Sequence, residues 1–419
     1  MRRTSRTVGI ASVLGLGLGL GPVTMAQPAG AATAVRCGQH LTRSTTLTAD
    51  IGPCRGDGLV VDGGHGITVD LAGHTVTGIR ARGNNSVGIR LSGATGVTVT
   101  NGDVSGFDAG VALIGGSANV VSSLSVHDNI GTLDNPFNVE FGDGILVDGS
   151  SANRLVGNVI AHNGPLDGIA VVDVGADDNV IQGNVIEDND LVQVLHVDGG
   201  DFPLATDRGI FVSSFSPPSG RPIRGTKIVD NVVQSNAANG IETFVVTQYT
   251  TIAGNAVLAN GFLNATLDGG SAGLEIGDAG IVKGDGSGHA TITANNVHGN
   301  AGGGIMLIGC CGSPFGFLNG HNKVLSNNAA DNVASPANTV AAADLWDTAF
   351  GDNCASDRWL ANIWGSGGFF PPCTTAGGSG PPNPVPAAAA PAASASPSAL
   401  APSSLAAVPP PHSRPHVRG

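Results

Sequence analysis

The chain runs to 419 residues, with 65 glycines, 12% charged residues and a formal net charge of −13. So much glycine and so little charge exclude a helical solenoid or coiled coil, and the acidic balance excludes nucleic acid as a charge-driven partner. Past the N-terminus no apolar run reaches the roughly 18 residues that a membrane span needs, so no span is expected.

Residues 1–34 have the layout of a secretory signal peptide. Arg2, Arg3 and Arg6 precede an apolar run from Val8 to Leu20, and small residues gather around Ala29, Ala31, Ala32 and Ala34. Arg2-Arg3 hints at twin-arginine export, which the following residues do not support. The expectation is a secreted protein, extracellular or associated with the cell envelope. Export to an oxidising compartment favours disulfides among the six cysteines. Cys37 and Cys54 bracket the first coil and Cys354 and Cys373 the last, so each pair is expected to close. Cys310-Cys311 leaves three readings open: a vicinal disulfide, partners elsewhere, or two loop thiols.

Between those ends, asparagines recur five residues apart: Asn158/Asn163, Asn184/Asn189, Asn231/Asn236, Asn255/Asn260, Asn295/Asn300 and Asn327/Asn332. Each pair is followed, after a variable gap, by Gly-Ile or a close variant. Self-similarity at this period means stacked coils that bury their apolar faces only against their neighbours. Around each asparagine, apolar and polar residues alternate with period two in Val- and Ile-rich stretches, which is a strand pattern. Gly144–Val147, Leu155-Val156 and Val159-Ile160 supply three short strands to one coil, at about 22–25 residues per coil. The fold class is therefore all-β: a single-stranded parallel β-helix solenoid over 35–373 with disulfide-stapled ends. The asparagines are expected to stack at a bend and bond along the stack, with no role toward a ligand.

Residues 374–419 hold 11 of the 24 prolines and no acidic or aromatic residue, and read as a disordered tail. Without signal and tail, 14 basic residues face 32 acidic ones, so the body carries about −18. A polyuronate ligand would then need a bridging cation.

Three stretches carry more than composition: Cys37 through Thr45–Thr48 to Cys54, the run from Gly66 to Gly78, and the Gly-Ile and Gly-Asn coils. Through them the chain resembles, over about residues 37–373, the right-handed parallel β-helix proteins of the pectin-lyase-like superfamily. The resemblance implies a right-handed coil and, for enzymes of that superfamily, a polysaccharide groove along the first sheet and its bordering loops. Lyase and glycoside hydrolase chemistry are both implied, and fold alone does not choose between them. The competing class is a non-catalytic extracellular binding, adhesive or structural protein. Polysaccharide is the expected partner of a monomeric chain.

Long insertions flank one strand of the coil: Ile130–Gly142, Asp190–Asp207, Gly261–Ala279, Ser213–Gly225 and Gly309–His321. Phe137, Phe141, Phe202, Phe215, Phe262, Phe315 and Phe317 lie in them, with Phe211 and Phe244 on the strands between. The rings either offer apolar surface to a glycan or belong to loops that fold down and bury Leu146, Phe211, Phe244, Met306 and Ile308. In Gly-Ile-x-Val, Ile and Val point inward, so flanking positions align outward in columns. The residue before Gly gives Asp143, Asp167, Arg208 and Asn239. The outward x gives Leu146, Ala170, Phe211 and Glu242, and a third column Asp148, Val172, Ser213 and Phe244.

Two carboxyls on adjacent coils share a proton and can supply an acid and a base. Asp143 and Asp167 are the candidate catalytic pair, Arg208 their charge partner and Glu242 an alternative base. Asp148, Phe211 and Phe244 are candidate substrate-binding residues. The opposing reading makes both aspartates turn caps. Calcium is the one cofactor entertained, for the acidic loops Asp173…Asp177-Asp178, Glu187-Asp188…Asp190 and Glu275…Asp278…Asp285, none with specific ligand spacing. Gly64-His65-Gly66 matches part of a polygalacturonase signature whose other elements are missing. His127 and His298 read as surface residues. Trp346, Trp359 and Trp364 read as a C-terminal cap that covers the open sheet edge.

Overall fold

The computed structural model describes residues 34–370, apart from 81–84, 132–140, 191–192, 198–199, 205–206, 215–220, 245, 262–280, 284–287, 308–319, 333–342, 348–356 and 366–368. The predicted signal and tail, and Cys310, Cys311, Cys354 and Cys373, lie outside the described residues. Among those described, every regular element is a strand, as period-two alternation and β-branched residues require.

Each coil lays one strand on each of three parallel sheets. The first sheet has 12 strands, from Gln39–His40 to Phe369–Phe370. In the coil read from sequence, the strands are Ile145–Asp148, Arg154–Val156 and Val159–Ala161. Thr98–Ser105 and Val120–His127 are long enough to serve both the second and third sheets. Register holds across coils of very different length. Asparagine bonds span 22 residues between one pair of coils, whereas Asp167 and Arg208 on adjacent coils are 41 residues apart.

The interior is built from matching columns. Ile89, Val111, Ile145, Ile169, Ile210 and Ile241 are register partners in turn, and all are fully buried. The asparagines also stack, but on two bends, one for each member of a pair. One ladder runs Asn158, Asn184, Asn231, Asn255, Asn295, Asn327 and Asn362. The other runs Asn129, Asn163, Asn189, Asn236, Asn260, Asn300 and Asn332 and ends on Asp344. A third, shorter ladder of Asn119, Asn153 and Asn179 runs along a further bend, and two of its members, Asn153 and Asn179, stand five residues before Asn158 and Asn184. The residue before the ladder often has a left-handed backbone, such as Gly157 at φ 64° and Gly183 at φ 63°, which explains the recurrent Gly-Asn.

Cys37 and Cys54 form the expected disulfide at the N-terminal end. At the other end Trp359 follows Val324 in the interior column, and Trp364 follows Ala329. The predicted cap is thus, where described, a last regular coil whose larger rings fill the closing layer, with Trp359 only 9% exposed.

Asn231 shows what a ladder residue contributes. Its Oδ1 accepts from the backbone N and the Nδ2 of Asn184 at 2.9 and 3.0 Å, and its own Nδ2 donates to Ile181 O at 2.9 Å. Asn231→Ala leaves these buried groups unpaired, at about 1–3 kcal/mol each. Urea unfolding is expected to show a loss of at least about 3 kcal/mol, against under about 0.5 kcal/mol for the outward Val229→Thr. Equal midpoints for the two variants would remove the ladder from the account of stability.

Candidate functional site

The columns expected before each Gly-Ile strand are present. Gly144 N donates to Asp167 O, Gly168 N to Arg208 O and Gly209 N to Asn239 O, at 2.8–3.0 Å. Glycine is required between them, because a Cβ on Gly168 would sit 2.8 Å from Gly209 O and 2.5 Å from Ile186 Cγ2. The outward columns also hold: Leu146, Ala170, Phe211 and Glu242 are partners in turn, as are Asp148, Val172, Ser213 and Phe244.

This register brings the four candidate catalytic residues into one line. Asp143 Oδ1 accepts from Asp167 N at 3.1 Å. Asp167 Oδ1 accepts from Arg208 N at 3.3 Å and from Arg208 Nη1 at 3.2 Å. Arg208 Nε donates to Glu242 Oε2 at 2.5 Å, and Asn239 Nδ2 donates to the same oxygen at 2.9 Å. The guanidinium lies over the Phe211 ring, 4.1 Å from its centroid. Asp143, Asp167 and Glu242 are 2, 3 and 7% exposed.

Burial sets the electrostatics. Desolvation pushes Asp143 well above the ordinary carboxylate range and Asp167 adds to the push, against the Asp167 N–H and Arg208. Asp167 is itself pushed up to about 7 by burial, even with Arg208 pulling it down. The line therefore holds a proton near neutral pH beside a fixed positive charge.

The candidate binding residues separate. Asp148 is half-buried, with its pKa raised by desolvation and by Asp173. Phe244 is half-buried at the outer end of its strand. Phe211 is 2% exposed and meets Arg208. Leu146 and Met306 are buried as well, whereas Phe244 stays half-buried and Ile308 lies outside the described residues, so three of the five positions are covered as the folded-down reading requires. Phe141 packs on a patch of Val87, Ala109, Ala112, Leu146 and Ala170. Phe137, Phe215, Phe262, Phe315 and Phe317 lie outside the described residues.

Two contributors escaped the sequence reading. Asn239 stands in the first column, but its bond to Glu242 needs the side-chain conformation. Arg90 Nε donates to Asp57 Oδ2 at 2.8 Å, with Phe141 over the guanidinium at 5.4 Å. Asp57 precedes Gly58, and Arg90 is outward on the next coil. That is the placement of Arg208 and Glu242 with the charges exchanged, and extending the columns to the Gly58 coil would have found it. His127 stands outward as read, a third of its side chain exposed, but it is partnered. Its two ring nitrogens lie 3.0 Å from Asp128 and 2.8 Å from Asp103. Burial lowers its pKa, but Asp128 and Asp103 outweigh that and leave it raised.

Among the described residues, no group of three or more His, Cys, Asp or Glu side chains is placed to hold a metal ion. Asp177 accepts from Arg221 and from Arg224 N, and Glu187 accepts from Gln234. Glu275, Asp278 and Asp285 lie outside the described residues.

Coils that register in parallel on three sheets, with insertions beside one of them, define a parallel β-helix protein. A family model described as a right handed beta helix region matches residues 50–276, more than half of the chain, and the chain belongs to that family. No curated protein matches it in sequence. Among solved structures it is similar to the A-module of a mannuronan C-5 epimerase of Azotobacter vinelandii, at 14% identity over 80% of this chain and 84% of that one, with a TM-score of 0.46. The Dettilon tailspike protein is 19% identical, covering 78% of this chain and 57% of its own, at a TM-score of 0.46. Pectate lyase Pel9A is 14% identical, covering 76% and 74%, at a TM-score of 0.43. Likeness this distant says nothing about activity.

The raised acids make stability depend on pH. An unfolded aspartate ionises near pH 4, whereas folded Asp167 holds its proton to about pH 7. Its contribution to stability is therefore complete below about pH 4 and falls as pH rises through 7, at up to about 1.4 kcal/mol per pH unit for one proton. Asp167→Asn is expected to flatten urea stability between about pH 4 and 7 and to be at least as stable as the parent at about pH 8. An unchanged slope would mean that Asp167 ionises in the ordinary range.

Proposed function

We propose that this chain recognises or processes polysaccharide along the first sheet, with the line from Asp143 through Asp167 and Arg208 to Glu242 as its reactive centre. The supporting observation is a stacked, buried carboxyl pair with raised pKa values, beside a guanidinium, on the face that insertions border. A carboxyl that keeps its proton at neutral pH is a general acid, and a partner that titrates near 7 is a base poised for the same pH. In this reading Asp143 holds the proton, Asp167 exchanges it, Arg208 takes the charge of an acidic sugar and Glu242 is the alternative base.

Arg208 is the most exposed member, its side chain at 15%. A ligand carboxylate that reaches it competes with Asp167 and Glu242 and frees their oxygens for proton transfer. Asp148 and Phe244 line the approach, while Phe211 supports the guanidinium from beneath. Calcium enters as a bridging ion to an acidic glycan, and the protein acts as a secreted monomer.

A second reading, a non-catalytic extracellular binding or structural protein, is favoured by one observation. Asp167 and Glu242 already satisfy Arg208 inside the line, and a complete buried network needs no ligand to explain it.

The purified protein, incubated with neutral and acidic polysaccharides in calcium and in EDTA, decides between the two. New reducing ends without the ultraviolet absorbance of unsaturated uronates mean a hydrolase, and both together mean a lyase. Asp143→Asn and Glu242→Gln are each expected to lower turnover by about 100-fold or more. Silence across the panel from folded protein sinks the catalytic reading, and loss of glycan binding in Phe244→Ala then supports the second.

A further inference from the structure

The acidic total conceals a basic stripe. On the second sheet, one outward column reads Arg154, Val180, Lys227, Thr251, Thr291, Lys323 and Arg358 in register. Four of the body's 14 basic residues stand there, and no acidic one. The next outward column over the last four of these coils, Ala253, Thr293, Leu325 and Leu360, is uncharged. Lys323 and Arg358 are exposed and make no ion pair among the described residues.

The bend that leads into this column is unusual on the same coils. Tyr249, His289 and His321 have left-handed backbones, with φ of 56, 58 and 60°. Elsewhere the equivalent left-handed positions hold small or short residues: Gly66, Gly96, Ala118, Ala152, Asp178 and Gly225. A bulky ring is disfavoured in that conformation, so three in succession are not explained by the turn. The rings stack, with centroids 5.0 and 4.9 Å apart and planes within 17° and 13°. All three are exposed, Tyr249 at 54%. His289 has a neighbour on both faces, so the stack turns its edges outward. Ring edges offer N–H and O–H donors, which suit anions better than they suit the apolar face of a sugar.

We propose that this stripe is a second binding surface, for an anionic polysaccharide lying along the helix axis. Lys323, Arg358, His289 and His321 donate to its carboxylate or sulfate groups, and the Thr251 and Thr291 hydroxyls bond to its hydroxyls. Donors that recur once per coil along an open face fit a linear polymer with regularly spaced charges better than a single small anion. The surface is independent of the line around Arg208 and does not rest on its being catalytic.

The test is titration calorimetry of the full chain with polygalacturonate and with neutral dextran, at low and at physiological salt. Wild type is expected to bind polygalacturonate, more weakly as salt rises, and not to bind dextran. Lys323→Thr with Arg358→Thr takes the residue that Thr251 and Thr291 already supply in this column, so the fold tolerates it. Its binding is expected to weaken by about tenfold. His289→Asn with His321→Asn, where asparagine accepts the left-handed backbone, is expected to weaken binding by about threefold. Asp167→Asn keeps the stripe's binding, which separates failure here from failure of the first-sheet reading. Absence of binding, equal affinity in folded Lys323→Thr/Arg358→Thr protein, or equal affinity for a single-stranded DNA of matching charge each overturns the proposal.

Discussion

Everything in this structure depends on one constraint: each coil must meet the next in register through bends that bury polar backbone. Left-handed residues turn the chain there, and the groups they bury need partners. Asparagine meets the need because one short side chain both donates and accepts. A member inside a ladder, such as Asn231, donates forward to the next Oδ1 and back to a carbonyl of the preceding coil, so the pattern propagates without any other component. A ladder that always donates forward needs only an acceptor at its end. Asp344 fills that place, taking both the N and the Nδ2 of Asn332 on Oδ1 while Oδ2 accepts from Gly365 N. Leucine would fill the volume and leave the backbone unpaired.

Fixed register turns a linear sequence into columns, and interactions follow the columns. Arg208 reaches Glu242 along the same diagonal, one coil on, by which Asp57 reaches Arg90. Each guanidinium is covered by a phenylalanine, one from the strand and one from the end of an insertion. The two pairs differ in what surrounds them. Asp57 and Arg90 are each exposed by more than a fifth of their side chains. The Arg208 line is nearly sealed and carries two further carboxyls, and there desolvation raises the pKa of both aspartates.

The coils and columns were legible in the sequence because strand alternation and the asparagine spacing are local signals. Asp143, Asp167, Arg208 and Glu242 could be lined up from the Gly-Ile strands alone, and the structure brings them together. What the sequence withheld was depth and conformation. Nothing local says that Phe211 turns under Arg208 instead of toward a ligand, or that Asn239 reaches Glu242. The Asn119, Asn153 and Asn179 ladder was legible only in part: Asn153 and Asn179 have an asparagine five residues on, Asn158 and Asn184, but Asn119 has none. The pairing of His127 with Asp103 was hidden because that carboxylate belongs to the preceding coil.

Charge is where whole-chain reading misleads most. A body near −18 implies that a polyanion needs a bridging cation, but a ligand senses the field only within about 8 Å at physiological ionic strength. Coils rise by about 4.8 Å, so that distance covers one or two neighbours along a column and little of another sheet. Lys323 and Arg358 are such neighbours. Acidic groups also cluster on other faces, in the line on the first sheet and around Glu187. In a solenoid the relevant charge is that of a column, and this chain presents acidic and basic columns on different faces of the same coils.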